Sequence, residues 1–437
     1  MQGKIKFVPP KIIELSERLV VIFYIVMLVM STSCTRRMNY VWATPKNITV
    51  DSQLVSRFGK SPCADYHSYI PDTTHPEWQP MRYVRVNIHF LRRSDGSWNF
   101  GAVEGAQYAQ DMIANQNDRL MHNTKMLLPL NNNTPVFPAG FQYVLAPDPE
   151  VRNDDGIYFN DDDSLSYLIV GGRKRNVESP AAYNSFGMMK GKAINVFMIE
   201  HPEDSMKSKT YNPSNDGIGA GPWAKVIGAY YQSRQVHVFG KDTVIFGAWF
   251  LSGLFGHECG HCLGLSHTWN VSDGCDDTPF NPNCWTVNDC PGKGSNNMMD
   301  YNTYQNALTP CQIGRVQMNL STPGSLQRNF LEPVHCEYHR ESTAVISAGD
   351  SVVWEGYKDL WGDVYVAQNA TLVLRCDVSL PNGAKVTLKK GAKLIFAGGT
   401  FYNSCGEQWQ GIEVPKKNAD TKIICAPGNE PRDIISH

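Results

Sequence analysis

Concentrated positive charge and long apolar runs are both scarce in this chain. With 40 Lys and Arg against 42 Asp and Glu, the formal net charge is −2. The nearest approach to a basic cluster, Arg173-Lys174-Arg175, is too short for a nucleic-acid patch and reads as a solvated loop. Nucleic acid is therefore excluded as a partner. The apolar run from Leu19 to Met30 falls short of the ~20 residues that span a bilayer as a helix. A hydrophobic content of 42% is ample for real cores, and 437 residues are too many for one small domain. Two folded units behind a leader are expected.

Lys4, Lys6, Lys11 and Arg18 precede the apolar run, and Ser31-Thr32-Ser33-Cys34 follows it. This order of charge, apolar stretch and small residues describes a secretory signal over residues 1–34. A cysteine directly after small residues resembles a bacterial lipoprotein signal, which implies a membrane anchor through Cys34. Ser31 departs from that pattern, because such signals carry a leucine or another large aliphatic residue there. The protein is expected at the cell envelope or cell surface if anchored, and otherwise secreted. Cysteine usage agrees with export: of 12 cysteines, Cys275, Cys284, Cys290 and Cys311 crowd one stretch and read as disulfide partners. Four cysteines allow three connectivities, and spacing alone does not choose among them.

Residues 35–71 are polar and read as a tether or short prosegment. Cys63 within it has two readings, an inhibitory thiolate on a metal or a disulfide-bonded or inert residue. From Met81 the pattern changes. Val84, Val86, Ile88 and Phe90 alternate with Tyr83, Arg85, Asn87 and His89, which predicts a half-buried strand. Ala109, Met112, Ile113 and Leu120 fall at helical spacing within Glu104–Met121, and further strands are expected at Phe141–Ala146 and Ala193–Glu200. The order points to an α/β or α+β domain over residues 72–332. In residues 333–437, Val364-x-Val366 and Leu372-x-Leu374 recur as Val386-x-Leu388 and Leu394-x-Phe396, a period of about 22 residues. The connecting segments 367–371 and 389–393 match as well, with fainter copies at 343–354 and 409–414. A short parallel β-helix or solenoid fits this repeat; a small β-sandwich is the alternative.

The chemistry concentrates at His257-Glu258-Cys259-Gly260-His261, continued by Gly264 and His267. Residues four apart on a helix share a face, so His257 and His261 can present ring nitrogens to one ion. Glu258 lies about 100° round the helix, off the ligand face, as suits a base that takes a proton from an activated water. Gly264 lets the chain leave the helix and bring His267 back as the third ligand. Three protein ligands leave zinc the open position that catalysis needs. Cys259 and Cys262 read as small buried hydrophobes, not ligands.

At every defined position this motif resembles that of the metzincin metallopeptidases. Gly264 to Thr268, Gly274-Cys275, Asp277-Thr278-Pro279 and Asn297 to Tyr301 resemble the pappalysin group within them. The resemblance implies an α+β catalytic domain, a mixed sheet with a long zinc-binding helix, ahead of the all-β repeats. It implies that Met299 is the turn methionine beneath the metal and that Tyr301 stabilises the oxyanion, where core filling or packing are the plain alternatives. It also implies a calcium site in the loop of Asp273, Asp276, Asp277 and Thr278, whose alternative is a solvated acidic turn. Cys275–Cys290 and Cys284–Cys311 pairings follow from it, as does a substrate strand near Ala193–Glu200. The expected function is zinc-dependent, Glu258-assisted hydrolysis of peptide bonds in extracytoplasmic proteins or peptides. The rivals are a surface adhesin with a secondary zinc domain and a zinc hydrolase of a non-peptide bond.

Overall fold

The structure is a computed structural model that describes residues 40–96, 99–167, 180–199, 216–227, 248–268, 273–278, 294–302, 304–406, 408–416 and 420–427. The leader with Cys34, the triplet 173–175, Cys284 and Cys290 lie outside the described residues. No helix among the described residues is long and apolar enough to cross a membrane.

The described residues open with two short strands, β1 (Tyr40–Trp42) and β2 (Ile48–Val50), and about a turn and a half of helix, α1 (Leu54–Phe58). It then crosses to the first large unit. Strand β3 (Arg82–Arg92) is the axis of that unit. It is followed by α2 (Ala102–Met121), β4 (Phe141–Leu145), β5 (Ile157–Asp161), α3 (Ala181–Phe186), β6 (Ile194–Ile199), β7 (Asp216–Ala220) and β8 (Trp223–Ile227). Helices α4 (Ala248–Cys262) and α5 (Pro310–Ser321) complete it. The sheet order is β4-β3-β6-β8-β7, with β5 continuing the β4 side of β3. All pairings are parallel except β7 with β8. The result is a mixed α/β unit.

Alternation predicted β3 as half-buried. Val84, Val86, Ile88 and Phe90 do face the helices with no exposure, but Asn87 and His89 on the other face are equally buried. Covered on both sides, the polar face satisfies itself internally: His89 Nε2 meets Asn195 Oδ1 at 2.9 Å, and its ring stacks between Tyr158 and Phe197. Helix α2 buries Ala109, Met112, Ile113, Gln116 and Leu120, the stripe its spacing dictates, against β3 and α4. Helix α4 is apolar nearly all round and sits in the core, with Leu251 and Phe255 fully buried. Each such side chain contributes about 1.5–3 kcal/mol on leaving water.

The second unit is a coil of parallel strands. One row stacks β9 (Ala344–Ile346), β12 (Val364–Val366), β15 (Lys385–Leu388) and β18 (Gly411–Pro415). A second stacks β10 (Ser351–Trp354), β13 (Thr371–Leu374), β16 (Lys393–Phe396) and β19 (Lys422–Cys425). A third, shorter row holds β11 (Lys358–Asp359), β14 (Val378–Ser379) and β17 (Phe401–Tyr402). The repeat residues are register partners: Val364 lies on Val386, Val366 on Leu388, Leu372 on Leu394 and Leu374 on Phe396. On the first three rungs the turn between first and second rows needs a left-handed residue, met by Gly349, Asn369 and Gly391 at φ 83°, 59° and 72°.

The stretch expected as a tether is in part built into this coil. β1 pairs antiparallel with β18, β2 pairs parallel with β19, and Leu54 and Phe58 of α1 cover Val373, Ile395 and Ile424. Both strands cap the last rung, whose backbone groups would otherwise face water. Cys63 is in a disulfide with Cys376, which leaves no thiolate for a metal. The chain then crosses α5 through Tyr66–Tyr69 before entering β3. Where the units meet, Asp359 is bound by Arg82 and Arg328, and Trp78 packs edge-on against Trp354.

Candidate metal centre

Helix α4 carries His257, Glu258 and His261 in its last turns, where His257 and Glu258 are only 1% and 3% exposed. The helix ends in a glycine motif: Leu265 N–H donates to Gly260 O at 3.0 Å and Gly264 N–H to His261 O at 3.0 Å. Gly264 has φ +95°, and an added Cβ would lie 2.4 Å from Asn319 Nδ2, which itself donates to Leu263 O. Glycine is thus required twice over, by conformation and by space. The turn carries His267 back over the helix.

The three imidazoles converge through Nε2. His267 Nε2 lies 3.1 Å from His257 Nε2 and 3.0 Å from His261 Nε2. His257 Nδ1 contacts Met298 O and His261 Nδ1 contacts Leu265 O, both at 2.8 Å. A carbonyl only accepts, so both Nδ1 atoms carry the hydrogen, and both Nε2 atoms present bare lone pairs. The single proton His267 could place on Nε2 satisfies only one of them. A cation resolves this convergence, and neutral imidazole nitrogens so oriented are the donor set that zinc takes at about 2.0–2.1 Å. The residues present fit that ion. Protons do not compete for the site near neutrality. Burial, and then the neighbouring His261 and His267, push His257 down to about 3. Burial and His261 push His267 to about 4, and burial lowers His261.

Beneath the histidines, Met299 is fully buried, and its sulfur fills the space a side chain at Gly260 would take, 2.5 Å from an added Cβ. Its N–H donates to Asn297 Oδ1, and Asn297 and Gln312 of α5 exchange two amide hydrogen bonds at 2.7 and 3.0 Å. The turn is thereby clamped to α5. Tyr301 stands at the rim, 38% exposed, with its ring centroid 5.0 Å from His267 and 5.8 Å from His257. Sequence reasoning missed the carbonyls of Met298 and Leu265 and the Asn297–Gln312 clamp. Backbone acceptors leave no mark in a sequence; for the clamp the only signal was the asparagine preceding the methionine pair.

Other expectations are redirected. Cys275 pairs with Cys311, which overturns both Cys275–Cys290 and Cys284–Cys311. The bond tethers the loop after His267 to the first turn of α5, whose distance from that loop no spacing rule encodes. In the same loop the acidic groups point to separate partners. Asp273 Oδ2 accepts from Thr278 Oγ1, Asp277 Oδ2 from Cys311 N–H, and Asp276 Oδ1 from the Tyr66 hydroxyl. Cys259 and Cys262 are free and buried. The expected substrate strand near Ala193–Glu200 is β6, which is interior, with both sides paired to β3 and β8. Among the described residues the outermost strand on that side is instead β7, and this glycine-bearing strand runs directly over Glu258.

No family model and no curated protein matches this chain. Solved structures do. Mirolysin in complex with compound 9 is 16% identical, with a TM-score of 0.39 over 57% of this chain and 96% of that one. Mature mirolysin of Tannerella forsythia with a cleaved peptide is 19% identical, with a TM-score of 0.36 over 57% and 95%. A promirolysin mutant of the same organism is 15% identical, with a TM-score of 0.37 over 65% and 96%. At these values the likeness assigns no family and lends no residue role; the centre stands on its own geometry.

Proposed function

We propose that this chain is a zinc-dependent endopeptidase of the metzincin type. The observation that carries the reading is the convergence of three Nε2 atoms from His257, His261 and His267 beside Glu258. Zinc, when bound, supplies a Lewis acid that makes water a usable nucleophile at neutral pH. Everything else is done by the chain. The Met298 and Leu265 carbonyls hold two imidazoles in the tautomer that binds. Glu258 takes a proton on its carboxylate from the attacking water and passes it to the leaving amine. Tyr301, exposed at the rim, donates its hydroxyl to the developing oxyanion. Met299 holds the floor of the site. An extended peptide runs along β7, which pairs antiparallel with β8 and is the outermost strand on that side among the described residues. Polypeptide outside the cytoplasm is the substrate, a placement supported by the disulfides Cys63–Cys376, Cys275–Cys311 and Cys336–Cys405.

The test is cleavage of a mixed peptide library by the zinc-loaded protein, read by mass spectrometry beside Glu258→Ala. Cuts are expected with the wild type and should fall by about 10²–10⁴-fold in the variant, which keeps one equivalent of zinc. An ester and amide panel run in parallel identifies a non-peptide hydrolase. Zinc at one equivalent with no Glu258-dependent cut in any panel would refute the reading.

A further inference from the structure

Alternate residues of β7 face opposite sides of the sheet, and Gly217 and Gly219 share the side that faces α4. An added Cβ at Gly217 would lie 2.4 Å from Glu258 Oε1 and 2.7 Å from its Cγ and Cδ. At Gly219 it would lie 2.0 Å from the backbone oxygen of Glu258 and 3.0 Å from His261 Cβ. Neither glycine has a positive φ, so backbone conformation does not call for glycine at either position. Space does. From the opposite face Ile218 packs into the cluster of Leu91, Phe197 and Trp223, which holds the strand down on the helix. Glu258 is thus roofed by bare main chain and left 3% exposed.

We propose that Gly217 is a positioning residue for the Glu258 carboxylate: by lacking a side chain it defines the slot in which the base is held. This rests on the peptidase reading above. The two glycines differ in what they set. Gly217 opposes the movable end of the Glu258 side chain, so a methyl there displaces the carboxylate. Gly219 opposes backbone, so a methyl there lifts the strand from the helix. The carboxylate and the substrate-pairing strand therefore keep their spacing through one pair of side-chain-free contacts.

The experiment is a pair of double-mutant cycles on the zinc-loaded full chain. In the kinetic cycle, Gly217→Ala should lower kcat by about a hundredfold, the scale of a 1 Å misplacement, with KM changed less than about threefold and zinc retained. Glu258→Asp, one methylene shorter, should impair the wild type yet improve Gly217→Ala by about tenfold or more. In the unfolding cycle, which needs no activity, Gly217→Ala should lower the denaturation midpoint with Glu258 present, and lower it markedly less in the Glu258→Ala background. Equal midpoint losses in both backgrounds, or a kcat for Gly217→Ala within about threefold of wild type, would overturn the proposal. A wild type without Glu258-dependent cleavage would defeat the peptidase reading itself. The unfolding cycle would still report on the contact.

Discussion

Replacing Asp359 by alanine should unfold both units together. Its carboxylate, 5% exposed, accepts from Arg328 through both guanidinium nitrogens at 2.7 and 3.0 Å and from Arg82 at 3.1 Å. The arginines are otherwise committed to the first unit: Arg82 donates to the Gln317 carbonyl and side-chain oxygens, and Arg328 to Leu320 and Ser321 O. Asp359 itself is part of β11 in the coil. Alanine would leave two guanidiniums, each only 13% exposed, facing each other with no anion, and breaking such a pair from one side costs up to about 3–5 kcal/mol. Burial pushes the Asp359 pKa up, but Arg328 and then Arg82 outweigh it and hold it well below the ordinary carboxylate range. A depressed folded pKa gives stability that is complete above the unfolded value near 3.9 and is lost as pH falls through the folded one. The gap between wild type and Asp359→Asn should therefore be flat from about pH 5 to 8 and narrow below about pH 4. Urea unfolding of the disulfide-intact chain, followed by tryptophan fluorescence and by residual peptide cleavage, reads both. A loss under about 1 kcal/mol, or a coil transition that moves while the catalytic signal does not, would refute the argument.

His267→Ala should remove zinc from the protein on dialysis, because the ion loses the ligand that closes the set; metal analysis of the dialysed variant checks this. Gly264→Ala should cost about 1–2 kcal/mol for the left-handed backbone alone, and more for the contact with Asn319, with zinc affinity falling as His267 is displaced. Calorimetric zinc titration of that variant is the measure, and an unchanged affinity counts against the role given to the turn. The zinc-free protein should lose stability as pH falls from about 6.5 toward 4. The sign follows from folded values near 3 for His257 and near 4 for His267: the unfolded chain takes up protons that the folded one refuses. A zinc-free unfolding midpoint that stays level across that range would be inconsistent with neutral buried imidazoles.

What the sequence by itself determined is whatever local periodicity controls. His257, Glu258 and His261 take their places from helical spacing, Gly264 marks the exit by its conformational freedom, and Val364 with Val386 forecast the rung register of the coil, because identical rungs stack in register. The helix at Ala102–Met121 and the strand at Arg82–Arg92 were legible for the same reason. What tertiary structure decided depends on neighbours far along the chain. The strand at Ile194–Ile199 became interior and Asp216–Ala220 the outermost on its side among the described residues, because sheet order is settled by how the crossovers pack, which no single strand encodes. Cys275 found Cys311 because the loop lies on α5, and four cysteines in one stretch carry no record of that approach. Tyr40–Trp42 and Ile48–Val50 are too short to show a period, and they became strands only where the last rung of the coil offered unpaired backbone. Asp359 gathers Arg82 and Arg328 from positions no spacing links, since burial of a charge is decided by the partners that the completed fold brings to it.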